Sequence, residues 1–339
     1  MPWSFACEDR LVLIACDRPL VDEFDLALLD LDGVVYVGPD AVPDAPEHLA
    51  AARAAGMQLA FVTNNAARPP AVVAEHLTRL GIPTDPGEVV TSAQAAARLL
   101  SEQIAPGSRV FVIGGDGLNE ALRERGLEPV QEHDPTPAAV VSGYSPQLAW
   151  RTVTLGAILV RDGLPWVASN TDVSVPTPYG PGPGNGVIVK AVADFAGREP
   201  VVAGKPEPPL FRESVERVAG KRPLVVGDRL DTDIEGAHRA GLPSLLVLTG
   251  VTGLAEILAA PPHQRPAFIS ADLRGLHEPH PVPAEEGLGG WHAETRGDVV
   301  HVSGAGTGDD WWRVVADTAW RHHDTCGVPI SAVTGDEPG

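Results

Sequence analysis

Short apolar runs alternate with segments of helical periodicity along most of the chain. The first series has apolar runs at 26–29 and 59–62, with a helical pattern at 46–55 between them. The rhythm returns later, with apolar runs at 201–203, 223–226 and 244–248 and helical patterns at 208–219 and 232–240. Nearly continuous apolar runs are typical of parallel strands that helices cover on both faces. The pattern predicts an α/β fold built on a doubly wound parallel sheet.

A second alternation of the same kind lies between the two series, from about residue 92 to residue 195. It has apolar runs at 110–113, 138–141 and 166–168 and a helical pattern at 147–160. We expect this stretch to form a large inserted α/β domain, called the cap below. The Pro- and Gly-rich segment 176–186 closes the insertion, and its glycines suit a return crossing in which the backbone bends sharply.

The two ends of the chain follow neither series. Past about residue 275, two strand patterns at 291–295 and 299–302, a helix at 310–322 and a strand at 328–333 predict a small C-terminal α+β module of ββαβ order. Residues 1–24 have no clear periodicity. The predicted organisation is an N-terminal extension at 1–24, a core formed by 25–91 and 196–274, the cap at 92–195 and the C-terminal module at 275–339.

Composition narrows the classes of function. The 339 residues carry a formal net charge of −20, and no nucleic-acid partner is expected because phosphate neutralisation requires clustered Lys and Arg. Cys7, Cys16 and Cys326 match neither a disulfide framework nor a metal-binding spacing. The apolar run 11–15 is too short to span a membrane, and the acidic residues before it do not suit a signal peptide. We expect a cytoplasmic protein without a membrane partner.

Acidic residues follow two of the predicted strands. Asp30 and Asp32 come directly after the run 26–29, while Asp228 follows the run 223–226 and precedes Asp233 at the start of a helix. The carboxyl ends of parallel strands meet at one edge of a sheet, where α/β proteins bind their ligands. Carboxylates that lie close together repel, and a divalent cation is a common reason to tolerate them. The pattern points to a metal site at this edge.

Two further strand ends carry groups suited to holding phosphate. Thr63, Asn64 and Asn65 follow the run 59–62, and their hydroxyl, amide and backbone N–H groups can contact phosphoryl oxygens. Lys205 follows the run 201–203 and supplies an ammonium group that neutralises phosphate charge. Each motif alone has an ordinary structural explanation, such as a strand-ending turn, a solvated lysine or an N-cap. Together at one sheet edge, they predict phosphoryl transfer.

The four motifs resemble those of the haloacid dehalogenase superfamily of phosphatases, whose core is a Rossmann-like sheet. The resemblance covers about residues 25 to 250. Within the superfamily the chain is most similar to the p-nitrophenylphosphatase-like subfamily, through FVTNN at 61–65, PGNG at 183–186 and VGDRLDTDI at 226–234. The long interval between Thr63 and Lys205 puts the insertion where that subfamily has its large α/β cap.

The resemblance implies a role for each motif. Asp30 would attack phosphorus to form an aspartyl-phosphate, and Asp32 would act as general acid and then as general base. The implied cofactor is Mg²⁺, held by Asp30, the main-chain carbonyl of Asp32 and Asp228, with Asp233 behind them. The implied phosphate-binding residues are Gly33, Thr63, Asn64, Asn65 and Lys205.

The cap is expected to read the leaving group through Asn170, Asp172 and Val175. Relatives that act on pyridoxal phosphate carry a histidine where this chain has Val175, which disfavours an aromatic cofactor phosphate. In this subfamily dimers form through the cap, so a homodimer is a further expectation.

The C-terminal module resembles the acetyltransferase-like (GNAT-like) tail of certain glycerol-3-phosphate phosphatases in the subfamily. No Gly-rich pyrophosphate loop is visible in it, so acetyl transfer is not expected. Its tryptophans are expected to pack a small core, with an exposed cluster for a partner or regulator as the alternative; they are Trp291, Trp311, Trp312 and Trp320.

The expected activity is the magnesium-dependent hydrolysis of a small phosphate monoester, with glycerol 3-phosphate as the first choice. Phosphoglycolate and nucleoside monophosphates remain open as substrates, since a cap can change specificity without changing the core. A metabolite sensor with slow turnover is the alternative of a different class. The dehalogenase branch lacks the acid/base that Asp32 provides, and receiver domains of signalling systems are shorter and have no inserted cap.

Overall fold

The computed structural model describes residues 13–133, 135–177 and 179–338. Most of the apolar run 11–15 is included, whereas Cys7 and the rest of the first 12 residues of the predicted N-terminal extension lie outside the described residues. The helices are α1 (Leu20–Glu23), α2 (Ala45–Ala54), α3 (Pro70–Arg79), α4 (Ser92–Ser101), α5 (Asp116–Glu124), α6 (Trp150–Arg161), α7 (Asn185–Ala196), α8 (Pro209–Val218), α9 (Glu235–Ala240), α10 (Leu254–Ala259) and α11 (Gly308–Cys326).

The strands share a short length, most having two to six residues. They are β1 (Leu26–Leu29), β2 (Tyr36–Val37), β3 (Asp40–Ala41), β4 (Gln58–Thr63), β5 (Val89–Thr91), β6 (Arg109–Ile113), β7 (Glu128–Val130), β8 (Ala139–Ser142), β9 (Trp166–Ala168), β10 (Ser174–Thr177), β11 (Gly180–Pro183), β12 (Val201–Val202), β13 (Pro223–Gly227), β14 (Ser244–Val247), β15 (Phe268–Ser270), β16 (Trp291–Arg296), β17 (Val299–Gly304) and β18 (Ala332–Gly335).

The chain folds into two compact units. The first consists of the described residues up to Leu59 together with those from Gly220 onward, and the second is Ala60–Ala219. Strand β4 begins in the first unit and ends in the second. The predicted domain boundaries, including the cap at 92–195, are not tested by this division and stay a prediction.

The first unit contains the parallel strands β15, β14, β13 and β1, which lie side by side in that order. Every residue of β1, β13 and β14 is buried. This burial explains why their sequences are almost wholly apolar, because a parallel sheet covered on both faces has no solvent-facing positions. The predicted parallel α/β core is confirmed, and β1 has the predicted bounds.

The C-terminal module also belongs to the first unit and has the predicted ββαβ order. Strands β16 and β17 pair antiparallel, and β18 returns parallel to β17. Helix α11 lies between β17 and β18 in sequence and extends beyond the predicted 310–322 at both ends. Thr307 caps its first turn by accepting a hydrogen bond from the Asp310 N–H.

The module's tryptophans are packing residues, as the sequence predicts. Trp291 and Trp311 are buried with Val300 and Val315 in a cluster of the module itself. Trp320, on the same helix, packs instead against strands of the parallel sheet, in a cluster with Leu246 and Ile269. The module is therefore part of the folded body of its unit. Its GNAT-like character stays a prediction.

Polar contacts reinforce this packing. Trp320 Nε1–H donates to the Ile257 carbonyl at 2.8 Å, and the Asp309 carboxylate accepts from Ser270 Oγ–H at 2.7 Å and from the Ala271 N–H at 2.9 Å. Arg265 forms a bidentate pair with Asp324, both contacts measuring 2.7 Å. Bidentate Arg–carboxylate pairs fix orientation as well as adding energy. Helix α11 is thus anchored along its length.

The imidazole of His280 lies in the same interface and makes folding pH-dependent. Its Nε2–H donates to the Gly275 carbonyl at 2.8 Å, and its Nδ1 accepts from Arg313 at 3.2 Å, so the ring is neutral. Burial lowers the pKa of His280 from 6.5 to about 4, with Arg313 lowering it further and Asp309 opposing. Below about pH 6.5 the unfolded chain therefore binds a proton that the folded protein rejects until about pH 4.

We expect the free energy of unfolding to fall as the pH drops through that window, by up to about 3 kcal/mol from this residue. Urea unfolding at pH 7.5 and 4.5 measures the effect. In His280→Gln the amide keeps one donor and one acceptor but does not titrate, so the difference between the two pH values should shrink. His292→Gln, at an exposed position, is the control, and an unchanged pH dependence in His280→Gln would contradict the assignment.

The second unit contains two parallel arrangements of strands. Strands β4 and β5 pair in parallel, and a separate five-stranded parallel sheet has the order β12-β9-β8-β6-β7. Helices α6 and α7 bury their apolar residues against this sheet around Phe111 and Trp166. The predicted strand 166–168 has its predicted bounds, and the predicted α/β character of the insertion agrees with this sheet.

Two local predictions were wrong. Val201 and Val202, predicted as a core strand, pair with Val167 and Ala168 in the five-stranded sheet. The segment 176–186, predicted as a bend at a crossing, includes most of a β-hairpin in which β10 and β11 pair antiparallel, with Val175 opposite Gly182. Both errors concern pairings between residues, which short apolar or Pro- and Gly-rich strings do not specify.

Candidate active site

Three carboxylates of the first unit converge where its parallel strands end. Asp30 directly follows β1, Asp228 directly follows β13, and Asp233 lies in the helical turn Leu230–Ile234. Each residue offers an oxygen, and the three oxygens lie within 4.8 Å of one another. Asp228 and Asp233 are buried, whereas Asp30 is partly exposed. The cluster forms at the predicted sheet edge.

This donor set fits a small, hard divalent cation. The three ligand atoms are carboxylate oxygens, which magnesium prefers, and the cluster has no Cys or His that would favour zinc. Two buried carboxylates this close to a third repel strongly unless a cation compensates them. Asp233 presents an oxygen to the same cluster as Asp30 and Asp228, although the sequence prediction put it behind the ligands.

Gly33 gives the Asp30–Gly33 turn its shape. Its φ of +88° is in the region that favours glycine, and a Cβ there would lie 2.5 Å from Asp228 Oδ2. The Gly33 N–H donates to the Tyr36 carbonyl at 2.8 Å, which closes the turn. Asp32 is exposed on this turn. Its carboxylate is therefore accessible to solvent, as a group that exchanges protons with substrate and water requires.

The loop after β14 also contacts the cluster, and the sequence analysis missed it. The Val251 N–H donates to Asp228 Oδ2 at 2.7 Å, and Thr249 Oγ–H donates to the Gly33 carbonyl at 2.6 Å. A Cβ at Gly250 would lie 2.0 Å from Asp228 Oδ2, so only glycine fits. The available signal was a Thr-Gly pair following a fourth apolar run, since that run also ends at the carboxyl edge of the sheet.

In the second unit, the structure brings Thr63, Asn64 and Lys205 together. Thr63 and Lys205 are both buried, at 6% and 3% exposure, and Lys205 Nζ lies 3.4 Å from the Val62 carbonyl at the end of β4. The Asn64 amide spans to Lys205, since its Oδ1 accepts from the Lys205 N–H at 2.8 Å and its Nδ2 donates to the Lys205 carbonyl at 3.1 Å. The predicted hydroxyl and ammonium groups thus share one neighbourhood.

Asn65 has a different environment from Asn64. It is exposed, its N–H donates to Thr63 Oγ1 at 3.1 Å, and its Oδ1 accepts from the Ala67 N–H at 2.8 Å. These bonds form a tight turn that fixes the direction of the Thr63 hydroxyl. A role in holding phosphate remains a proposal for both asparagines.

Two of the predicted specificity residues are connected to Asn64. Asn170, which is buried, donates from Nδ2 to the Asn64 carbonyl at 2.7 Å. Asp172 Oδ1 accepts from Asn64 Nδ2 at 3.1 Å. Val175 is half-buried in β10 and lies opposite Gly182. Ser92, which the sequence analysis did not select, also donates to the Asn64 carbonyl, at 2.6 Å.

Comparisons with known proteins agree with this chemistry. Residues 27–128 match a family model described as haloacid dehalogenase-like hydrolase, and residues 202–276 match a second, HAD-hydrolase-like model. The chain is 41% identical to a D-glycerol 3-phosphate phosphatase of Mycobacterium tuberculosis over 94% of this chain and 93% of the relative. It is also 37% identical to an acid sugar phosphatase of Staphylococcus aureus, over 69% of this chain and 90% of the relative.

Solved structures give the same result. A crystal structure of glycerol phosphate phosphatase from Mycobacterium tuberculosis in complex with magnesium has a TM-score of 0.86 at 42% identity, covering 94% of this chain and 96% of that one. A 4-nitrophenylphosphatase from Thermotoga maritima has a TM-score of 0.70 at 29% identity, covering 76% of this chain and 98% of that one.

The chain therefore belongs to the haloacid dehalogenase-like hydrolases. Within that family it is a phosphatase, an enzyme that hydrolyses phosphoric monoesters, because the relatives and the solved structures above carry that activity in their names. Its p-nitrophenylphosphatase-like character, predicted from the motifs at 61–65, 183–186 and 226–234, is confirmed by the structural likeness.

Proposed function

We propose that this enzyme hydrolyses glycerol 3-phosphate to glycerol and phosphate, with Mg²⁺ as its cofactor. The observation that carries the proposal is the cluster of Asp30, Asp228 and Asp233, whose oxygens lie within 4.8 Å of one another. Support for the substrate comes from the relative of Mycobacterium tuberculosis, whose name gives D-glycerol 3-phosphate and which matches almost the full length of this chain.

Asp30 is the proposed nucleophile. Its carboxylate oxygen forms a bond to phosphorus while the bond from phosphorus to the ester oxygen breaks, which leaves an aspartyl-phosphate and an alkoxide. Asp32 donates a proton to that alkoxide and then takes one from the water that attacks the aspartyl-phosphate, so that phosphate leaves and Asp30 is restored. The exposure of Asp32 suits both proton transfers.

Four residues besides Asp30 are proposed around the metal and the phosphate. Asp228 and the main-chain carbonyl of Asp32 would hold Mg²⁺ with Asp30, and Asp233 either supports this set or adds an oxygen to it. When bound, the cation supplies positive charge that offsets the repulsion between the carboxylates and the phosphate. The backbone of Gly33 completes the turn against Asp228.

The remaining phosphate contacts are proposed from the second unit. Thr63 contributes its hydroxyl, Lys205 its ammonium group, and Asn64 and Asn65 their polar groups next to Thr63. Burial of Thr63 and Lys205 supports the proposal, because charge stabilisation is stronger away from bulk water. Asn170 and Asp172 are proposed to receive the leaving group, and a carboxylate such as that of Asp172 is a suitable acceptor for the hydroxyl groups of glycerol.

Phosphate release from a panel of esters tests this function. Wild-type enzyme is assayed with magnesium and with a chelator, using glycerol 3-phosphate, phosphoglycolate, pyridoxal phosphate and nucleoside monophosphates. We expect the highest kcat/KM for glycerol 3-phosphate and loss of turnover in chelator. A higher kcat/KM for another ester would overturn the substrate, and undiminished turnover in chelator would overturn the metal.

We further propose that the enzyme forms a homodimer through its cap. Large apolar side chains that are exposed in the second unit support this, since Val173 and Trp150 are more than 70% exposed and Tyr179 is fully exposed. Sedimentation velocity should give twice the mass of one chain, and a monomer at micromolar concentration would contradict the proposal.

The cellular location follows from the sequence alone and is also a proposal. A cytoplasmic site is supported by Cys16 and Cys326, which are both free thiols. In the part of the chain that the structure describes, none of the helices has the length and apolar character needed to cross a membrane. Fractionation of cells that express the tagged chain would test the location.

A further inference from the structure

The cap loop that carries Asp172 is held on two opposite sides by residues of its own unit. This loop, Asn170–Val173, connects β9 to β10. On one side Asn64 binds it twice, by donating to Asp172 Oδ1 at 3.1 Å and by accepting at its carbonyl from Asn170 Nδ2 at 2.7 Å. Because Asn64 also binds both backbone groups of Lys205, this side sets the distance between the Asp172 carboxylate and the lysine.

The other side is formed by the PGNG motif at 183–186, which the mechanism above does not use. The Gly184 N–H donates to the Val173 carbonyl at 2.8 Å, and the Gly186 N–H donates to the Asp172 carbonyl at 2.9 Å. The Asn185 side chain, which is fully buried, donates from Nδ2 to the Asn170 carbonyl at 2.7 Å. Three successive residues thus bind three backbone carbonyls of the loop.

Steric constraints explain the glycines of this motif. A Cβ at Gly184 would lie 2.3 Å from the Asp172 carbonyl oxygen, and one at Gly186 would lie 2.2 Å from that of Thr171. The φ of Gly184 is −88°, which any residue adopts, so the position needs glycine because of the contact with the loop and not because of its backbone conformation. The motif therefore fixes how closely helix α7 approaches the loop.

We infer that Gly184 and Asn185 are positioning residues for substrate recognition, which hold the Asp172 carboxylate at the place where it accepts hydroxyl groups of a polyol leaving group. This inference rests on the proposed function. A displacement of about 1 Å at a positioned group can cost on the order of a hundredfold in rate. A shift of the loop should therefore impair esters whose leaving group needs Asp172 and spare esters that do not.

The test compares two Gly→Ala variants. Gly184→Ala drives a methyl group into the Asp172 carbonyl, whereas Gly87→Ala makes the same change in the same unit where a Cβ meets nothing within 4 Å. Steady-state kinetics are measured with glycerol 3-phosphate and with p-nitrophenyl phosphate, whose leaving group carries no alcohol hydroxyl. We expect Gly184→Ala to lose at least about tenfold in kcat/KM for glycerol 3-phosphate, mainly through KM. For p-nitrophenyl phosphate both variants should stay within about threefold of wild type.

Asn185→Ala provides a second variant if Gly184→Ala does not fold. It removes the bond to the Asn170 carbonyl without adding an atom, and the same split between the two substrates is expected. Equal losses for both substrates would show a purely structural role and overturn the inference, as would unchanged kinetics for both.

Wild-type enzyme in the same assay separates this inference from the proposed function. If wild type prefers another hydroxylated ester, the substrate proposal fails and that ester replaces glycerol 3-phosphate in the ratio. If wild type prefers glycerol 3-phosphate but Gly184→Ala keeps the wild-type ratio of the two kcat/KM values, the inference fails while the proposed function stands.

Discussion

Replacing Asp30 with asparagine should reduce phosphate release by at least about 10⁴-fold. Asparagine has nearly the same shape as aspartate, but its neutral amide lacks the carboxylate oxygen that attacks phosphorus. Asp228 and Asp233 remain in the variant, so two of the three carboxylates of the cluster are retained. Single-turnover phosphate release with magnesium and glycerol 3-phosphate measures the effect.

The control for this variant is Asp194→Asn. Asp194 is 66% exposed and pairs only with Lys190 one turn away on the surface of α7 among its printed ion-pair contacts, so its neutralisation should leave turnover unchanged. Thermal unfolding of both variants confirms that each is folded. Turnover of Asp30→Asn near the wild-type rate would show that another group attacks phosphorus.

Replacing Trp320 with alanine should lower the free energy of unfolding by about 3–5 kcal/mol. The side chain is 1% exposed and packs with Leu246 and Ile269 of the parallel sheet. Its removal leaves a large cavity and takes away the donor to the Ile257 carbonyl. The large loss is expected because this residue joins the C-terminal module to the sheet that carries the carboxylates.

Urea unfolding measures this prediction, with Val328→Ala as the control. Val328 belongs to the same module but is 52% exposed, so its truncation should cost less than about 1 kcal/mol. A loss below about 1 kcal/mol in Trp320→Ala would mean that the module contributes little to the stability of the unit. In that case truncation after residue 274 should yield a folded protein, whereas the packing of α11 predicts that it will not.

The strands of the first unit were predictable because burial leaves a direct trace in sequence. A parallel strand covered on both faces is apolar at every position, and Leu26–Leu29 and Pro223–Gly227 follow this rule throughout. The acidic residues at their ends were predictable for the same reason, since the end of an apolar run marks the end of a strand. The convergence of Asp30 and Asp228 follows from parallel pairing alone.

Pairing partners were harder to predict than strands. Val201–Val202 has two residues, which is too short for periodicity to indicate which sheet it joins. The hairpin formed by Ser174–Thr177 and Gly180–Pro183 contains so much Pro and Gly that its alternation is hidden. In both cases the outcome depends on contacts between residues distant in sequence or on turn geometry.

Backbone groups are the part of the candidate site that sequence reasoning could not reach. Every residue except proline has an N–H, so nothing in the sequence marks the one from Val251 that binds Asp228. Asn185 belonged to a motif that carried the family resemblance, but its bond to the Asn170 carbonyl depends on the placement of α7. Asp233 was placed in the correct region, and only the structure shows its oxygen within the cluster.

Trapping of the phosphoenzyme tests the central claim most directly. Wild-type enzyme is mixed with magnesium and excess glycerol 3-phosphate, quenched with borohydride, and digested for mass spectrometry. Borohydride reduces an acyl phosphate to the alcohol and releases phosphate, whereas a free carboxylate does not react. The account predicts homoserine at position 30, formed only with substrate and magnesium present and absent from Asp30→Asn. Active enzyme that yields no homoserine at position 30, or yields it at another aspartate, would contradict it.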